Sequence, residues 1–371
     1  MYTNLQIVNS LDEKVWHDFV DWHPHGNIFH TPEMFQVFGR AKGYRPILWA
    51  AVDKHGQILA LLSPVQVSLR DGLLRRLTTR SIAYGSVLCN QTPCGQEALA
   101  SLLSTYLQTT RWQALYTELR NMSDVACLQK IFEKNGFVYT DHMNFLIDIN
   151  CSPEQVLQNI GARTRKHIRR GLRKGNVIVE LLRERSKLSI WYELVRKTYQ
   201  NARVPLADRS LFEAAHEILQ PRGMIQFWLA RLDSTYVAAS AELLYKDIIY
   251  GWYGGVDRNY AAEMPGEMLM WHILEWGAQN GYRTYDFGGA GKPNEEYGVR
   301  DFKAKFGGKL VYFGRNIHVH SPLLLRLCTL GYQFLSYRFR LGHRLLDPLN
   351  RVTENIQHNL LFPKRENTNG E

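Results

Sequence analysis

The sequence predicts an α/β protein with mixed sheets, divided into two tandem domains of similar plan. Its 371 residues exceed a single domain at roughly 100–200 residues each. Hydrophobic residues make up 45% and charged residues 22%, which is typical of a globular chain that buries large cores. In each half the predicted order is helices, then a meander of strands, then alternating helix and strand, as duplication of one α/β unit would produce. The predicted boundaries are 1–150 and 151–320, with a tail at 321–371.

The first half begins with helices and a hairpin. Leu11, Val15 and Phe19 lie on one helical stripe. Thr31 before Pro32 is typical of a helix start, and Gly56 marks a turn between two apolar runs. The predicted elements, in order, are helices at 11–22 and 31–40, strands at 45–52 and 58–67, a helix at 98–110, a strand at 114–119, a helix at 123–135 and strands at 137–139 and 145–149.

The second half contains a three-strand meander followed by a crossover helix. Polar turns at Asp233 and Lys246 separate the three strands, and Pro265 opens the helix. This order predicts a mixed sheet. The predicted elements are a helix at 153–159 that runs into a basic segment, a strand at 177–182, helices at 190–201 and 208–219, strands at 225–232, 236–245 and 247–255, a helix at 265–280 and strands at 284–287 and 309–314.

An excess of basic residues predicts an anionic partner. The chain has 45 Lys and Arg against 35 Asp and Glu, a net charge of +10. This favours nucleic acid, phosphorylated or nucleotide-linked substrates, or an acidic membrane face. The 5 cysteines are irregularly spaced, so we expect reduced thiols in a cytoplasmic protein, with no disulfide framework and no metal site. Neither a signal peptide nor a conventional membrane-spanning helix is expected.

The segment GARTRKHIRRGLRKG, residues 161–175, contains no acidic residue. Its basic residues from Lys166 to Lys174 follow i, i+3, i+4, i+7, i+8 spacing, so a helix would present them on one face. Such a face is either solvated or a clamp for phosphate, which the bidentate fork of arginine suits. The candidate binding residues in this segment are Arg165, Lys166, Arg169, Arg170 and Arg173.

Two pairs of glycines follow strands of the second half. Gly254 and Gly255 end the meander, where they permit a bulge or a close backbone approach to a ligand, or simply make a turn. Gly288 and Gly289 follow Asp286. The carboxyl end of a strand is where open α/β sheets place functional groups. In the alternative reading, Asp286 only caps the glycine turn.

Basic and aromatic residues alternate beyond these glycines, in the segment 284–308. Tyr297, Arg300, Lys303 and Lys305 are the candidates here. A lysine near an acyl or phosphoryl oxygen stabilises developing negative charge, although the lysines are equally explained as solvent-exposed. HExxH, GxSxG and GxxxxGK[ST] do not occur in the sequence, which disfavours a zinc hydrolase, an α/β-hydrolase and a P-loop NTPase.

Together these segments resemble the FemAB-like branch of the GNAT acyltransferase superfamily, the peptidoglycan-bridge aminoacyltransferases and their relatives. The resemblance rests on the basic run, on YGWYGG, on the helix from Pro265 and on YDFGG…GVRDFKAKFGG; NIFHTPEMFQVFGRAKGYRPILWAAV is similar to the family's first half. It implies two tandem GNAT-like domains with catalysis in the second. It also implies transfer of an acyl or aminoacyl group from an activated ester or thioester to an amine.

The resemblance further implies where the chemistry occurs. Two parallel strands, ending at Gly255 and Asp286, would splay into a wedge in which backbone N–H groups polarise the acyl carbonyl. We expect Asp286 to orient or deprotonate the amine and Lys303 or Lys305 to stabilise the oxyanion. Tyr253 is the candidate that protonates the leaving group.

The acyl donor is left open between acyl-CoA and aminoacyl-tRNA, with no other cofactor expected. The stretch RNYAAEMPG lacks the glycine pattern of an acetyl-CoA loop, and the sequence has no long charged helical arm. The expected acceptor is an amine of a cell-envelope or polysaccharide precursor, a nucleotide- or lipid-linked substrate whose phosphate Arg169, Arg170 and Arg173 would hold. The alternatives are a tRNA-dependent aminoacyltransferase of peptidoglycan bridge formation and a non-catalytic RNA- or envelope-binding relative.

The tail segment 322–346 is rich in arginine, leucine and aromatic residues and has no acidic residue. An amphipathic helix of this composition either lies peripherally on an anionic membrane or packs across the N-terminal domain. The final residues, 364–371, are expected to be disordered.

Overall fold

The computed structural model describes residues 5–68, 75–202, 204–294, 298–328 and 330. Within these residues the chain forms two α/β halves, and the strands are arranged in three sheets of four, six and seven strands. The predicted class, an α/β chain with mixed sheets, is therefore confirmed.

Side-chain caps set the start of the first helices. Asp12 accepts hydrogen bonds from the N–H groups of Lys14 and Val15, and Thr31 accepts from Met34. The elements of the first half are β1 (Gln6–Val8), α1 (Glu13–Trp22), α2 (Pro32–Arg40), β2 (Tyr44–Pro46), β3 (Trp49–Val52), β4 (Ile58–Leu62), β5 (Val65–Ser68), α3 (Arg75–Thr78), β6 (Thr79–Tyr84), β7 (Leu88–Cys89), α4 (Pro93–Thr110), β8 (Tyr116–Arg120), α5 (Gln129–Lys134) and β9 (Val138–Thr140).

Two apolar runs that were predicted as single strands are each divided between two sheets. The run at 45–52 forms β2 and β3, and the run at 58–67 forms β4 and β5. β2 pairs with β5 in the six-stranded sheet, whereas β3 pairs with β4 in the four-stranded one. Each run changes sheet at a proline, Pro46 or Pro64, because proline has no N–H to give to a ladder.

The second half follows the predicted order, with an antiparallel meander of three strands and a crossover helix. Its elements are β10 (Asn144–Asp148), α6 (Pro153–Asn159), α7 (Ala162–Lys174), β11 (Val177–Leu181), α8 (Leu188–Ala202), α9 (Arg209–Ile218), β12 (Ile225–Leu232), β13 (Thr235–Tyr245), β14 (Ile248–Val256), α10 (Pro265–Gln279), β15 (Thr284–Gly289), α11 (Gly298–Ala304), β16 (Lys309–Val311) and β17 (Arg315–Val319). The strand predicted as the last, at 309–314, is thus followed by one more.

The two halves exchange strands. β10 lies between β15 and β16 in the seven-stranded sheet, and β17 lies between β8 and β9 in the six-stranded sheet. β10 lies before the predicted boundary at 150 but belongs to the sheet of the second half. β17 lies before the predicted boundary at 320 but belongs to a sheet of the first half. The chain crosses between the sheets at 141–143 and again at 312–314. These two crossings lie side by side, and the Gly314 N–H donates to the His142 carbonyl at 3.3 Å.

The seven-stranded sheet is covered on both faces. On one face, Trp191 of α8 and Phe212 of α9 pack against Phe227 and against residues of the first half. On the other face, helices α6, α7 and α10 bury Ile168 and Leu274 against the sheet. The sheet therefore separates a face that looks toward the first half from a face that carries α7 and α10.

Gly255 allows α8 to pack directly on β14. A Cβ atom at this position would lie 2.7 Å from the Leu194 carbonyl oxygen and 2.8 Å from the Val195 Cα atom. The close approach that this glycine permits is therefore to a helix, and the prediction that Gly255 approaches a ligand is corrected accordingly.

Replacing Gly255 with alanine is expected to lower the free energy of unfolding by about 1–3 kcal/mol, the usual cost of overpacking a well-packed core. The neighbour Gly254 provides a matched control, because its nearest contact for an added Cβ is 3.4 Å away and the residue is exposed. Gly254→Ala should change stability by less than about 0.5 kcal/mol. Urea unfolding of both variants measures the difference, and equal midpoints would contradict the packing argument.

Candidate active site

β14 and β15 lie side by side for only three residue pairs and then part. Residues 248–250 pair in parallel with 284–286. Beyond them β14 continues to Val256 beside β13, and β15 continues to Gly289 beside β10. A β-bulge at the point of separation, opposite Ala241 and Glu242, adds to the bend of β14. The predicted wedge between two parallel strands is thus present.

Gly254 presents its backbone to this gap. The Asp257 N–H donates to the Val237 carbonyl of β13 at 2.8 Å, whereas the Val256 N–H donates to Thr198 of α8 at 2.9 Å. Peptide groups alternate in direction along an antiparallel pair, so Gly254 directs its N–H and C=O away from β13, as Val256 does. A backbone N–H in this position is suitably directed to polarise a carbonyl held between the strands.

The end of β15 is held by the side chain of Lys303. Its ammonium donates to the carbonyl oxygens of Phe287 at 2.6 Å, Gly288 at 3.3 Å and Gly289 at 2.8 Å. Burial lowers the pKa of Lys303 to about 8. Because all three donors of the ammonium are satisfied by carbonyls, this lysine fixes the strand end where β15 leaves β14.

Asp286 is the last residue of β15 that pairs with β14, and its side chain is buried. Its Oδ1 accepts from Asn144 Nδ2 and from the Gly288 N–H, both at 2.7 Å. Burial raises the pKa of Asp286, opposed by these two hydrogen bonds. The carboxylate therefore caps the glycine turn, the alternative that the sequence left open, and it connects β10 to the strand end beside the gap.

A cleft of about 240 Å³ lies between the two halves and reaches the end of β15 at Gly288 and Gly289. Its polar lining comes mostly from residues that the sequence did not single out: Arg120, His142, Asn144 and Arg315. Its aromatic lining consists of Phe29, Tyr84, Tyr199, Tyr250, Trp252, Tyr253 and Phe313. The cleft thus combines ring surfaces with cationic groups beside the predicted reaction centre.

Tyr253 is the predicted catalytic residue that the structure brings directly into the cleft. Burial, and then the nearby Tyr44, raises the pKa of the Tyr253 hydroxyl well above its ordinary value. The phenol therefore remains protonated across the neutral range, as a proton donor to a leaving group requires.

Buried Glu118 and half-buried Arg120, Arg315 and His142 form a charged cluster on the first-half wall of the cleft. Glu118 Oε2 accepts from Arg120 Nε at 3.2 Å and Nη2 at 3.1 Å, while its Oε1 accepts from Arg315 Nη1. Burial by itself would raise the pKa of Glu118, but the two guanidinium groups outweigh it and hold that pKa well below its usual range. The signal for this cluster in the sequence was the charged pair formed by Glu118, within the mostly apolar strand predicted at 114–119, and Arg120 directly after it.

His142 completes the cluster as a neutral acceptor. Its Nε2 lies 2.8 Å from Arg315 Nη2, which can only donate. Burial, reinforced by Arg315, lowers the pKa of His142 to about 2. The histidine therefore adds no positive charge to the cleft wall at neutral pH.

The basic residues of α7 lie across the seven-stranded sheet from the cleft. α7 packs on α10, where Gly171 contacts Met268 and Lys174 pairs with Glu263. Arg169, Arg170 and Arg173 therefore do not line the cleft, and their binding of a substrate phosphate stays a prediction. Arg165 is half-buried and donates to the Gln158 carbonyl at the end of α6.

The outer face of α7 is exposed. Within the described part of the chain, the following basic residues have no carboxylate within 4.0 Å: Arg163, Lys166, Arg169, Arg170 and Arg173. The buried stripe of the helix consists of Thr164, Ile168 and Gly171, whereas Leu172 is 49% exposed. α7 therefore presents a face of unpaired positive charge to solvent.

Two further candidates, Arg300 and Lys305, do not line the cleft. Arg300 donates to the carbonyl oxygens of Ala290, Lys292 and Pro293, and so holds the loop that follows β15. Lys305 is exposed, and its carbonyl accepts the Gly161 N–H before α7 at 3.2 Å. Tyr297 lies outside the described residues.

The tail is described only at its beginning. Residues 322–328 are helical, and Leu325 is buried against Leu115, Tyr116 and Ile317 of the six-stranded sheet. This much of the tail packs on the first half, whereas residues 331–346 lie outside the described residues. In the part of the chain that the structure describes, no helix has the length and apolar character needed to cross a membrane. The same part contains no group of three or more His, Cys, Asp or Glu arranged to hold a metal ion.

A comparison with known families finds a similarity over the part of the chain in which β14 and β15 separate. Residues 161–303 match the acetyltransferase (GNAT) domain family. The matched segment extends from the first turn of α7 to Lys303, so it contains the wedge and the lysine that holds its edge. No curated protein matches the chain in sequence.

Solved structures extend the likeness to the rest of the chain. FemX is 16% identical with a TM-score of 0.68, covering 87% of this chain and 99% of that one. L-PGS from Bacillus licheniformis is 13% identical with a TM-score of 0.55, covering 86% and 96%. A tandem GNAT protein from the clavulanic acid biosynthesis pathway is 11% identical with a TM-score of 0.54, covering 86% and 99%. At these identities the likeness shows the fold, which is a tandem arrangement of two GNAT-like units.

Proposed function

We propose that this protein is an N-acyltransferase that transfers an acyl or aminoacyl group to an amine of a cell-envelope or polysaccharide precursor. The observation that carries the proposal is the separation of β14 from β15 beside a cleft that reaches Gly288 and Gly289. The GNAT match of residues 161–303 supports the reaction class.

In the proposed reaction, the acceptor amine enters from the cleft and the acyl carbonyl lies in the gap between the strands. The amine nitrogen attacks the carbonyl carbon, forming a C–N bond and a tetrahedral oxyanion that the Gly254 N–H stabilises. Asp286, through its hydrogen bonds to Asn144 and Gly288, fixes the polar end of β15, and the amine releases its proton to solvent in the cleft, from which Tyr253 is later reprotonated. The bond to the thiolate or ribose oxygen of the donor then breaks, and Tyr253 protonates that leaving group.

The proposed donor approaches from the α7 and α10 side of the sheet. Acyl-CoA and aminoacyl-tRNA, the two donors that the sequence leaves open, are both polyanions, and the exposed face of α7 is cationic. α10 starts with Pro265 and has no side-chain cap on its first N–H groups. Unpaired arginines beside such a helix start favour phosphate on this side.

The test is a transfer assay with labelled donors. Acetyl-CoA, longer acyl-CoA thioesters and charged tRNA are each incubated with the protein and an amine-bearing nucleotide-linked muramyl peptide, and transfer of label to the amine is measured. A thermal-shift screen of the same compounds reports binding independently, since a bound ligand raises the melting temperature. Transfer from one donor class supports the proposal, whereas binding of RNA with a steep salt dependence and no transfer favours the non-catalytic alternative.

Replacing Arg169 and Arg173 together with glutamine is expected to raise the KM for the donor about tenfold or more with little change in kcat, because charge-assisted contacts to phosphate on α7 act in binding. The matched control replaces Arg196 and Arg209, which are paired with Glu193 and Glu213, and so changes net charge equally. Steady-state kinetics at two salt concentrations measures both variants. Equal KM values for the two variants would remove α7 from the donor site.

A further inference from the structure

The charged cluster on the cleft wall carries an uncompensated positive charge. Arg120 and Arg315 are both bonded to the single carboxylate of Glu118, and neutral His142 contributes nothing. Glu118 and Arg120 lie two residues apart on one face of β8, and Arg315 is the cross-strand partner of Arg120. Like charges directly opposite each other destabilise a sheet, so the pair is maintained by Glu118 behind it. Among Glu118, Arg120, Arg315 and His142 one unit of positive charge remains, and Arg80 of β6, which also interacts with Glu118 and Arg120, adds to it.

The charge is directed toward the cleft. The side chains of Arg120 and Arg315 are 31% and 25% exposed, whereas that of Glu118 is 6% exposed. Both arginines line the cleft, so that exposure is to the cleft, and the carboxylate is screened behind them. The Arg120 guanidinium lies over the Tyr84 ring at 5.0 Å, which fixes its plane. Two oriented guanidinium groups present a fork that matches an oxyanion.

The cluster lies directly beside the end of β15. A Cβ atom on Gly289 would be 2.7 Å from His142 Nε2 and 3.7 Å from Arg315 Nη2. Gly289 is thus the point at which the reaction strand of the GNAT domain touches the wall provided by the first half. A group bound by the two arginines is therefore next to the position where the amine must react.

We propose that Arg120 and Arg315 bind a carboxylate or phosphate group of the acceptor, adjacent to the amine that is acylated. This inference rests on the proposed function for the identity of the ligand as an acceptor. The cleft volume of about 240 Å³ is below the roughly 300–1,000 Å³ of a site that encloses a whole drug-sized ligand. The site therefore takes the reacting end of a larger molecule, with rings available on Tyr250 and Trp252 for its apolar faces.

The experiment measures anion binding without any acyl donor. Inorganic phosphate and acetate are titrated separately into the full-length protein at constant ionic strength, and the melting temperature reports binding. We expect a saturable rise with at least one of the two anions, and the anion that produces it identifies the preferred group. A rise with neither anion overturns the proposal.

Variants assign the anion to the cleft. Arg120→Gln and Arg315→Gln are each expected to weaken binding about tenfold or more, as loss of a charge-assisted hydrogen bond does. Arg111→Gln, an exposed arginine on the first half, should leave binding unchanged. If the response survives in Arg315→Gln but disappears when Arg169 and Arg173 are replaced, the anion binds on α7 and the proposal is wrong.

Glu118→Gln keeps the proposal testable even where an arginine variant fails to fold. It retains the shape of the side chain and removes the counter-charge, so anion affinity should increase about threefold or more. A purely structural role for Glu118 predicts the opposite, a weaker response. The anion-binding assay needs no acyl donor. If the wild type failed to transfer an acyl group, the proposed function would be wrong, but the measured anion binding would still be valid. Transfer without any anion effect would end only the present inference.

Discussion

Replacing Lys303 with methionine is expected to lower turnover about a hundredfold and to lower the free energy of unfolding by about 1–3 kcal/mol. The ammonium donates to three successive carbonyl oxygens at the end of β15, and methionine fills the same space without a donor. Leaving buried carbonyl oxygens without their charged donor costs about 1–3 kcal/mol of stability. The larger effect on turnover follows because a displacement of about 1 Å at a reaction centre is sufficient for a hundredfold loss.

The measurement does not depend on knowing the substrates. Amide hydrogen exchange of residues 286–290 should become faster in Lys303→Met, because the strand end loses its anchor. Lys305→Met is the matched variant, since that side chain is exposed and two residues away, and its exchange and unfolding should follow the wild type. If Lys305→Met loosened the strand end and Lys303→Met did not, the assignment of the two lysines would be reversed.

Replacing Glu242 with glutamine is expected to stabilise the protein at pH 8 and to have little effect at pH 4.5. Glu242 is fully buried on β13, where it accepts from Ser240 Oγ and, at 3.0 Å, from the Tyr285 hydroxyl. Burial, opposed by these two hydrogen bonds, raises its pKa from 4.5 to about 7, and no cation is among the causes. The carboxyl is thus held close to the protonated form by its surroundings.

The direction of the pH effect follows from proton binding. Between pH 4.5 and 7 the folded protein holds the Glu242 proton more tightly than the unfolded chain does, so stability that is present below pH 4.5 is lost as the pH rises through 7. A shift of this size corresponds to about 3 kcal/mol. The amide of Glu242→Gln mimics the protonated acid at every pH, so its unfolding free energy lacks this decline.

Denaturant unfolding between pH 4.5 and 8 tests the prediction. The difference in unfolding free energy between Glu242→Gln and wild type should grow with pH and level off above 7. Glu97→Gln, an exposed position on α4, provides a control for the loss of a glutamate and should track the wild type. A constant difference across the range would mean that Glu242 does not titrate in the folded protein.

Local sequence patterns predicted the elements of the second half well because each is defined within its own segment. Proline or a short polar side chain starts several helices, and these signals need no partner elsewhere: Asp208 accepts from Ser210 at the start of α9. The wedge followed from family resemblance and order along the chain. The pairing of strands across the two halves could not be predicted, because nothing in residues 144–148 or 315–319 indicates which sheet each segment joins.

The cleft was missed for a related reason. Arg315 and Glu118 are 197 residues apart, and only the exchange of β17 into the first sheet brings them together. The basic run on α7 was recognised because its charges are contiguous, yet contiguity says nothing about which face of the sheet the helix covers. The sequence does not distinguish Lys303 from Lys305; in the structure Lys303 is half-buried against the end of β15, whereas Lys305 follows α11 and is exposed.

The side-by-side crossings at 141–143 and 312–314 bear on how a substrate enters. A single connecting segment would let the two halves rotate about one hinge. Here two antiparallel segments connect them, and the Gly314 N–H donates a hydrogen bond to the His142 carbonyl between the two. The halves also share a buried core, in which Phe29 and Phe38 of the first half cluster with Phe212 of the second, and opening would have to separate it. The groove between the halves is consequently preorganised, and an acceptor meets arginines already oriented by Glu118, without a cost for closing the molecule around it.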